Sequence, residues 1–203
     1  MKNDEIKTEI LKVAESEFLK HGYLNTSMRD IAKKVSLTTG SLYNRFKNKE
    51  EIFDELVKEG SSKLLSFFIS EKDRFSNQSF DKQIVLMEDK MDGDYDKFIE
   101  IIYEYFTSFK LIICKGQGSK YENYLDSIID IETTSTLNFI KSVNKESNLN
   151  IDINQNVIHI LASALFKGIF EIVEHDMLKE EALEYERTIT SFFTAGWKKI
   201  LNI

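Results

Sequence analysis

No proline interrupts this chain of 203 residues, and glycine occurs only eight times. Proline breaks helices from within and glycine supplies tight β-turns, so a sequence poor in both predicts long helices joined by short polar breaks. Apolar residues recur at spacings of three and four along most of the chain, which is the period of an amphipathic helix. The expected fold class is all-α, with about nine helices. Composition agrees, since 42% hydrophobic and 30% charged residues supply both a core and a solvated skin for a globular protein. No run of about 18 apolar residues is present. The opening MKNDEIKTEI is charged and amphipathic, unlike a signal peptide or membrane anchor. A cytoplasmic protein without a membrane partner is expected. Its single cysteine, Cys114, cannot form an internal disulfide and lies in an apolar run, which predicts a buried, inert thiol.

The stretch TSMRDIAKKVSLTTGSLYNRFKNK, from Thr26 to Lys49, reads as two short helices meeting at a tight turn. Thr26 or Ser27 can cap the first through a side-chain oxygen, and Met28, Ile31, Ala32 and Val35 form its apolar stripe. Ser36, Leu37 and Thr38 make the turn, with Leu37 as its apolar plug and Thr38 as cap of the second helix. Leu42 and Phe46 face inward there, which leaves Thr39, Gly40, Ser41, Tyr43, Asn44 and Arg45 facing out. Hydroxyls, an amide, a cation and a residue without a side chain suit a surface that touches phosphates and base edges. Such a pair of helices is a helix-turn-helix reading head. A preceding helix, about Asp4 to Lys20, buries Ile6, Ile10, Val13, Ala14 and Phe18. It ends at His21-Gly22, where glycine suits a left-handed C-terminal residue.

In order and at spacing, Ile10, Ala14, Phe18, Gly22-Tyr23, Thr26-Ser27, Arg29-Asp30-Ile31-Ala32, Gly40, Leu42-Tyr43, Phe46 and Lys49-Glu50 form a pattern over about Ile10 to Phe53. This pattern resembles the TetR family of transcriptional regulators. The resemblance implies that Thr26, Tyr43 and Lys49 bind the phosphate backbone. It implies too that the last two helices pair with their twins in a four-helix dimer interface, and that the C-terminal part encloses a small-molecule cavity. Two departures stand out: Val35-Ser36-Leu37 replaces a common Ala-Gly-Val, and Arg45 replaces a common His or Tyr. The backbone of the turn at Ser36 is what the resemblance leaves open.

Charge divides the same way. Residues 1–50 carry 10 Lys+Arg against 7 Asp+Glu, net +3, and residues 51–203 carry 17 against 27, net −10, which together give the formal −7. A cationic head on an acidic body orients a molecule on a polyanion. The expected division is a DNA-binding domain at 1–50 and a helical effector-binding and dimerisation domain at 51–203. In the latter, helices are expected over about Glu51–Phe75, Phe80–Lys90, Tyr95–Lys115, Tyr121–Lys145, Gln155–Leu178 and Glu180–Leu201. DGDYD at 92–96 mimics the start of a calcium loop, but Lys97 and Tyr103 stand where glycine and a bidentate Glu are needed, so it is read as a helix cap. The last two helices carry apolar stripes wider than one core contact needs, with small Ala164, Gly168 and Gly196 among them.

Candidate effector-lining residues are Tyr103, Phe106, Phe109, Tyr124, His159, Phe166 and Phe170, with Tyr105 and Phe139 beside them. Aromatic richness favours a lipophilic effector. His159 and His175 lie on different sides of their helix and cannot share a metal, no cofactor is implied, and no acid–base pair or nucleophile constellation is visible. The function that the resemblance implies, with these residues, is a homodimeric repressor that binds a double-stranded operator and is released by a small-molecule effector, rather than an enzyme. The alternative is a helical ligand-binding or partner-docking protein whose head does not read DNA.

Overall fold

A computed structural model describes residues 2–89, 96–147 and 150–202. Asp92 to Tyr95, and with them the helix-cap reading of DGDYD, lie outside the described residues. Among the described residues there are ten helices and no strand: α1 (Lys2–Asn25), α2 (Met28–Lys34), α3 (Thr39–Tyr43), α4 (Lys49–Ser76), α5 (Phe80–Asp89), α6 (Asp96–Glu104), α7 (Phe106–Lys115), α8 (Tyr124–Ser147), α9 (Gln155–Glu174) and α10 (Lys179–Leu201).

The tenth helix arises because the expected Tyr95–Lys115 helix breaks at Tyr105, whose backbone sits at φ −121° and ψ 35°. Contacts with α4 hold the break. Tyr105 donates its hydroxyl to Glu59 at 2.9 Å, Ser108 donates to the carbonyl of Leu56 at 2.7 Å, and a Cβ at Gly60 would fall 2.6 Å from that of Tyr105. Only glycine at position 60 lets the tyrosine come so close.

The chain forms two compact units. Met1–Ser62 and Tyr105–Tyr124 make the first, Lys63–Glu104 and Leu125–Ile203 the second. Residues 105–124, which the sequence reading groups with the C-terminal part, thus pack with the N-terminal helices, α7 against α1. At the centre of the first unit, Phe18 meets Phe53 edge-on with ring centroids 5.1 Å apart, and Tyr23 stacks beside Phe18 at 5.9 Å. Ile10, Ala14, Ile31, Leu42 and Ile52 close this core. Each of the larger aliphatic and phenylalanine side chains contributes on the order of 1.5–3 kcal/mol by leaving water, before chain entropy is subtracted. Gly22 takes φ +77° and breaks the helical geometry of α1 where the sequence places its end. Cys114 on α7 is exposed, against the expectation of a buried thiol, because the faces of α7 that meet the core belong to Phe109, Leu111 and Ile112.

Aromatic packing builds the second unit. Phe166 sits edge-on to Phe68 at 5.3 Å and tilted to Phe98 at 6.3 Å, while Phe170 also meets Phe98. α9 is long and apolar enough to cross a membrane, yet one face of it, including Ile158, Leu165, Phe166, Ile169 and Val173, is buried in this core. Asn154 caps α9 by accepting from the N–H of Asn156 at 2.8 Å. α10 packs on α9 and α6.

Candidate nucleic-acid interface and effector cavity

Ser27, not Thr26, caps α2: its Oγ accepts from the N–H of Asp30 at 3.2 Å. Thr26 is buried and points the other way, donating its hydroxyl to the carbonyls of Gly22 at 2.8 Å and Glu17 at 3.2 Å. Buried Glu17 also accepts from Lys34 at 2.5 Å, which pins the end of α2 to α1. Past Val35 the chain turns through Ser36 at φ +54°, the left-handed region that glycine enters without strain. The position where the resemblance has glycine thus takes a left-handed backbone with serine in place. Thr38 then caps α3 through the N–H of Ser41 at 3.1 Å.

Leu42 and Phe46 are 0% and 2% exposed, so α3 is anchored by one apolar edge. On the opposite edge Thr38, Thr39, Gly40, Tyr43 and Asn44 are all exposed, Tyr43 by 50%. No atom lies within 4 Å of where a Cβ on Gly40 would stand, so internal packing gives no reason for a glycine there. Ser41 and Arg45 are half-buried and meet each other: the guanidinium donates to the Ser41 carbonyl at 3.1 Å and its hydroxyl at 3.2 Å.

Lys49 is likewise engaged. Its ammonium donates to the carbonyls of Tyr23 at 2.5 Å, Thr26 at 3.0 Å and Leu24 at 3.3 Å, and it lies 4.2 Å from the Tyr23 ring centroid. These carbonyls belong to the end of α1 and the turn after it, where a cation is favoured by the helix dipole. Burial pushes the Lys49 pKa down, with neighbouring Glu50 opposing. Glu50 accepts from the Tyr23 hydroxyl at 2.6 Å and from the N–H of Lys120 at 3.2 Å. Asp54 accepts from the ammonium of Lys120 at 2.5 Å and the Tyr121 hydroxyl at 2.6 Å. Its own burial is outweighed by these two partners, and its pKa falls below the ordinary carboxylate value.

The seven candidate effector residues do not converge. Phe106, Phe109 and Tyr124 fall in the first unit and Tyr103, His159, Phe166 and Phe170 in the second. Phe109, Phe166 and Phe170 are fully buried core, His159 is exposed beside Asp130, and the Tyr103 hydroxyl is given to the carbonyl of Met177 at 2.7 Å. The second unit instead holds a partly open cavity with aromatic walls from Phe75, Phe139, Phe193 and Trp197. Of the residues named from sequence, only Phe139 lines it. Ser135, Thr136, Thr190 and Thr194 give it four hydroxyls, and Lys72 and Glu132 an ion pair. Beneath Thr190 lies Glu186, 1% exposed, whose carboxylate accepts from the threonine at 2.6 Å. Burial raises its pKa, with the Thr190 hydrogen bond opposing.

Residues 10–56 match the family described as bacterial regulatory proteins, tetR family. Over 50 residues the chain is 42% identical to the HTH-type transcriptional repressor KstR2 of Mycobacterium tuberculosis (strain ATCC 25618 / H37Rv), a match that covers 25% of each protein. The chain thus spans about a quarter of the length of the curated relatives it matches. Solved structures extend the likeness of fold. A TetR-family member from Streptomyces coelicolor A3 superposes with a TM-score of 0.59 at 17% identity, covering 92% of this chain and 90% of that one. FadR from Bacillus subtilis in complex with stearoyl-CoA gives 0.54 at 13% identity, with 93% and 98% covered. The likeness to the TetR family is thus one of sequence over residues 10–56 and of fold over most of the chain.

Two exposed cations of the head, Arg29 on α2 and Lys47 after Phe46, are not among the contacts expected from sequence. Their signal was present in the quoted motif as charge, but charge on a helix surface has many solvated explanations. Trp197 was assigned to an apolar stripe, and nothing in a stripe tells a cavity wall from a packed face.

Proposed function

We propose that this TetR-family chain is a homodimeric DNA-binding regulator, a repressor released from its operator by a small-molecule effector. In this reading residues 1–50 read DNA and residues 51–203 carry effector binding and dimerisation. It acts by binding rather than catalysis, in the compartment that holds the DNA. The observation that carries it is α3: Leu42 and Phe46 are locked in the core while Thr38, Thr39, Gly40, Tyr43 and Asn44 stand out on a cationic head. Tyr43 and Asn44 are placed for phosphate and base-edge contacts, and open space at Gly40 lets the backbone approach the duplex. Ser27, Thr38 and Thr39 offer hydroxyls along the same edge, and Arg29 and Lys47 add charge. Thr26, Ser41, Arg45 and Lys49 support this edge from within, Lys49 by fixing the end of α1 and Arg45 by bracing Ser41.

A dimer follows from two considerations. One head reads only a few base pairs, and two heads set about 34–36 Å apart match successive major grooves. The apolar residues left uncovered on α9 and α10 support a twin there: Ile160 is 63% exposed, Phe192 73% and Val157 45%, and Gly196 has open space around it. An effector then releases DNA only by binding the non-operator spacing more tightly than the operator spacing.

Binding to duplexes from the gene's own promoter region, titrated against salt, tests the reading. The wild type should lose affinity steeply as salt rises. Asn44→Ala and Tyr43→Ala should weaken binding about tenfold or more without moving the melting temperature. Phe192→Asp should shift sedimentation toward monomer and take operator affinity with it. Salt-independent or undetectable binding by the wild type sinks the proposal.

A further inference from the structure

The cavity of the second unit has a chemical character that narrows what can occupy it. Among the described residues its only charged lining groups are Lys72 and Glu132, and they are paired with each other; the ammonium also lies 5.0 Å from the Phe68 ring centroid. An anionic ligand would have to displace Glu132 from Lys72, and a cationic one Lys72 from Glu132, each leaving a desolvated charge behind. A neutral ligand disturbs neither.

Two of the four hydroxyls are already oriented. Thr190 donates its proton to the buried carboxylate of Glu186 at 2.6 Å, and Thr136 donates to Glu132 at 3.3 Å. A hydroxyl that has given its proton away presents lone pairs to its other side. What faces the cavity from Thr190 and Thr136 is therefore an acceptor, and the ligand must bring the donor. Phe75, Phe139, Phe193 and Trp197 offer ring faces and edges to an aromatic body. The space is about 100 Å³ and partly open; an enclosed cavity of about 150 Å³ takes a benzene ring, so a single small ring is the largest body it suits.

We infer that this cavity binds a small uncharged aromatic molecule bearing an O–H or N–H donor, a phenol or arylamine by class. Its role as an effector site rests on the regulator reading above; occupancy itself does not. Trp197 is the sole tryptophan of the chain and a wall of the cavity, so its emission reports binding directly.

The experiment uses the full chain without DNA, so failure of operator binding leaves it intact. Phenol is titrated against Trp197 emission excited at the red edge of the indole band, with anisole, benzoate and benzyltrimethylammonium as comparison probes. Phenol should give a saturable change, and anisole, which keeps the ring but lacks the donor, should bind about tenfold more weakly. Both charged probes should bind more weakly still. Thr190→Val should weaken phenol about tenfold while leaving anisole unchanged. Should that variant fail to fold, Thr194→Leu fills the cavity from a half-buried lining position and should abolish the phenol response. Equal affinity for anisole and phenol, tighter binding of either charged probe, no saturation, or phenol binding retained in Thr194→Leu overturns the inference.

Discussion

In the first unit the ends of helices are fixed by individual polar atoms: Lys49 on the carbonyls of Tyr23, Leu24 and Thr26, the Thr26 hydroxyl on Gly22 and Glu17, Lys34 on Glu17, and Lys120 with Tyr121 on Asp54. The second unit is organised by bulk, with Phe68, Phe98, Phe166 and Phe170 interlocked through edge-to-face and tilted ring contacts. A charge-assisted hydrogen bond tolerates no other residue type at its position, because geometry and charge must both match. An apolar contact of the right volume tolerates several. Under the proposed function, a head that presents Thr39, Tyr43 and Asn44 in one register needs the first kind of order, and a body that holds a cavity is served by the second.

The contrast can be broken at its strongest point by removing volume. Phe166→Ala should cost about 3–5 kcal/mol in chemical denaturation, whereas Phe166→Leu should cost much less; equal losses would show that the second unit demands shape as strictly as the first demands polar partners. In the first unit, Lys49→Met keeps most of the side-chain bulk and removes the ammonium. It should cost about 2 kcal/mol because three carbonyls lose a charged donor, and a melting temperature like that of the wild type would show the pin to be idle.

A smaller effect of opposite sign is expected at the turn. Ser36→Gly relieves a left-handed serine and should stabilise the protein by about 1 kcal/mol, the strain released less the extra chain entropy of glycine. If it destabilises, the serine side chain is doing something at the turn that its backbone conformation does not explain. The smallest effect concerns Asp54. Its folded pKa is depressed, so its contribution is present above the ordinary carboxylate pKa of about 3.9 and is lost as pH falls through the lower folded value. The melting temperature should therefore fall as pH drops through that window, and by less in Asp54→Asn, which has no carboxylate to protonate there.

Much of the head was legible because its positions are individually constrained. Thr38 and Gly22 carry cap and turn chemistry that local sequence states outright, Ser27 was one of two candidate caps, and the alternation of Leu42 and Phe46 with Tyr43 and Asn44 fixes which edge of α3 faces out. What could not be read there is which polar groups look inward. Thr26 and Lys49 are as hydrophilic as Thr39, yet the end of α1 draws both into its carbonyls. In the body, periodicity located the helices but not their partners. The break at Tyr105 depends on Gly60, forty-five residues away in sequence, and no local pattern contains that contact. Aromatic side chains chosen as effector contacts went mostly into core or were divided between units, because a buried phenylalanine looks the same in sequence whether it packs a core or walls a cavity.

By itself the sequence determined the all-α class, the helix-turn-helix and the outward edge of α3, since each follows from backbone preference and a period only a few residues long. Tertiary structure decided the break between α6 and α7, the packing of residues 105–124 with the N-terminal helices, the duty of Lys49, and the position of the cavity around Trp197. These depend on which distant surfaces meet, and free energy gained by long-range contact leaves no trace in the local order of residues.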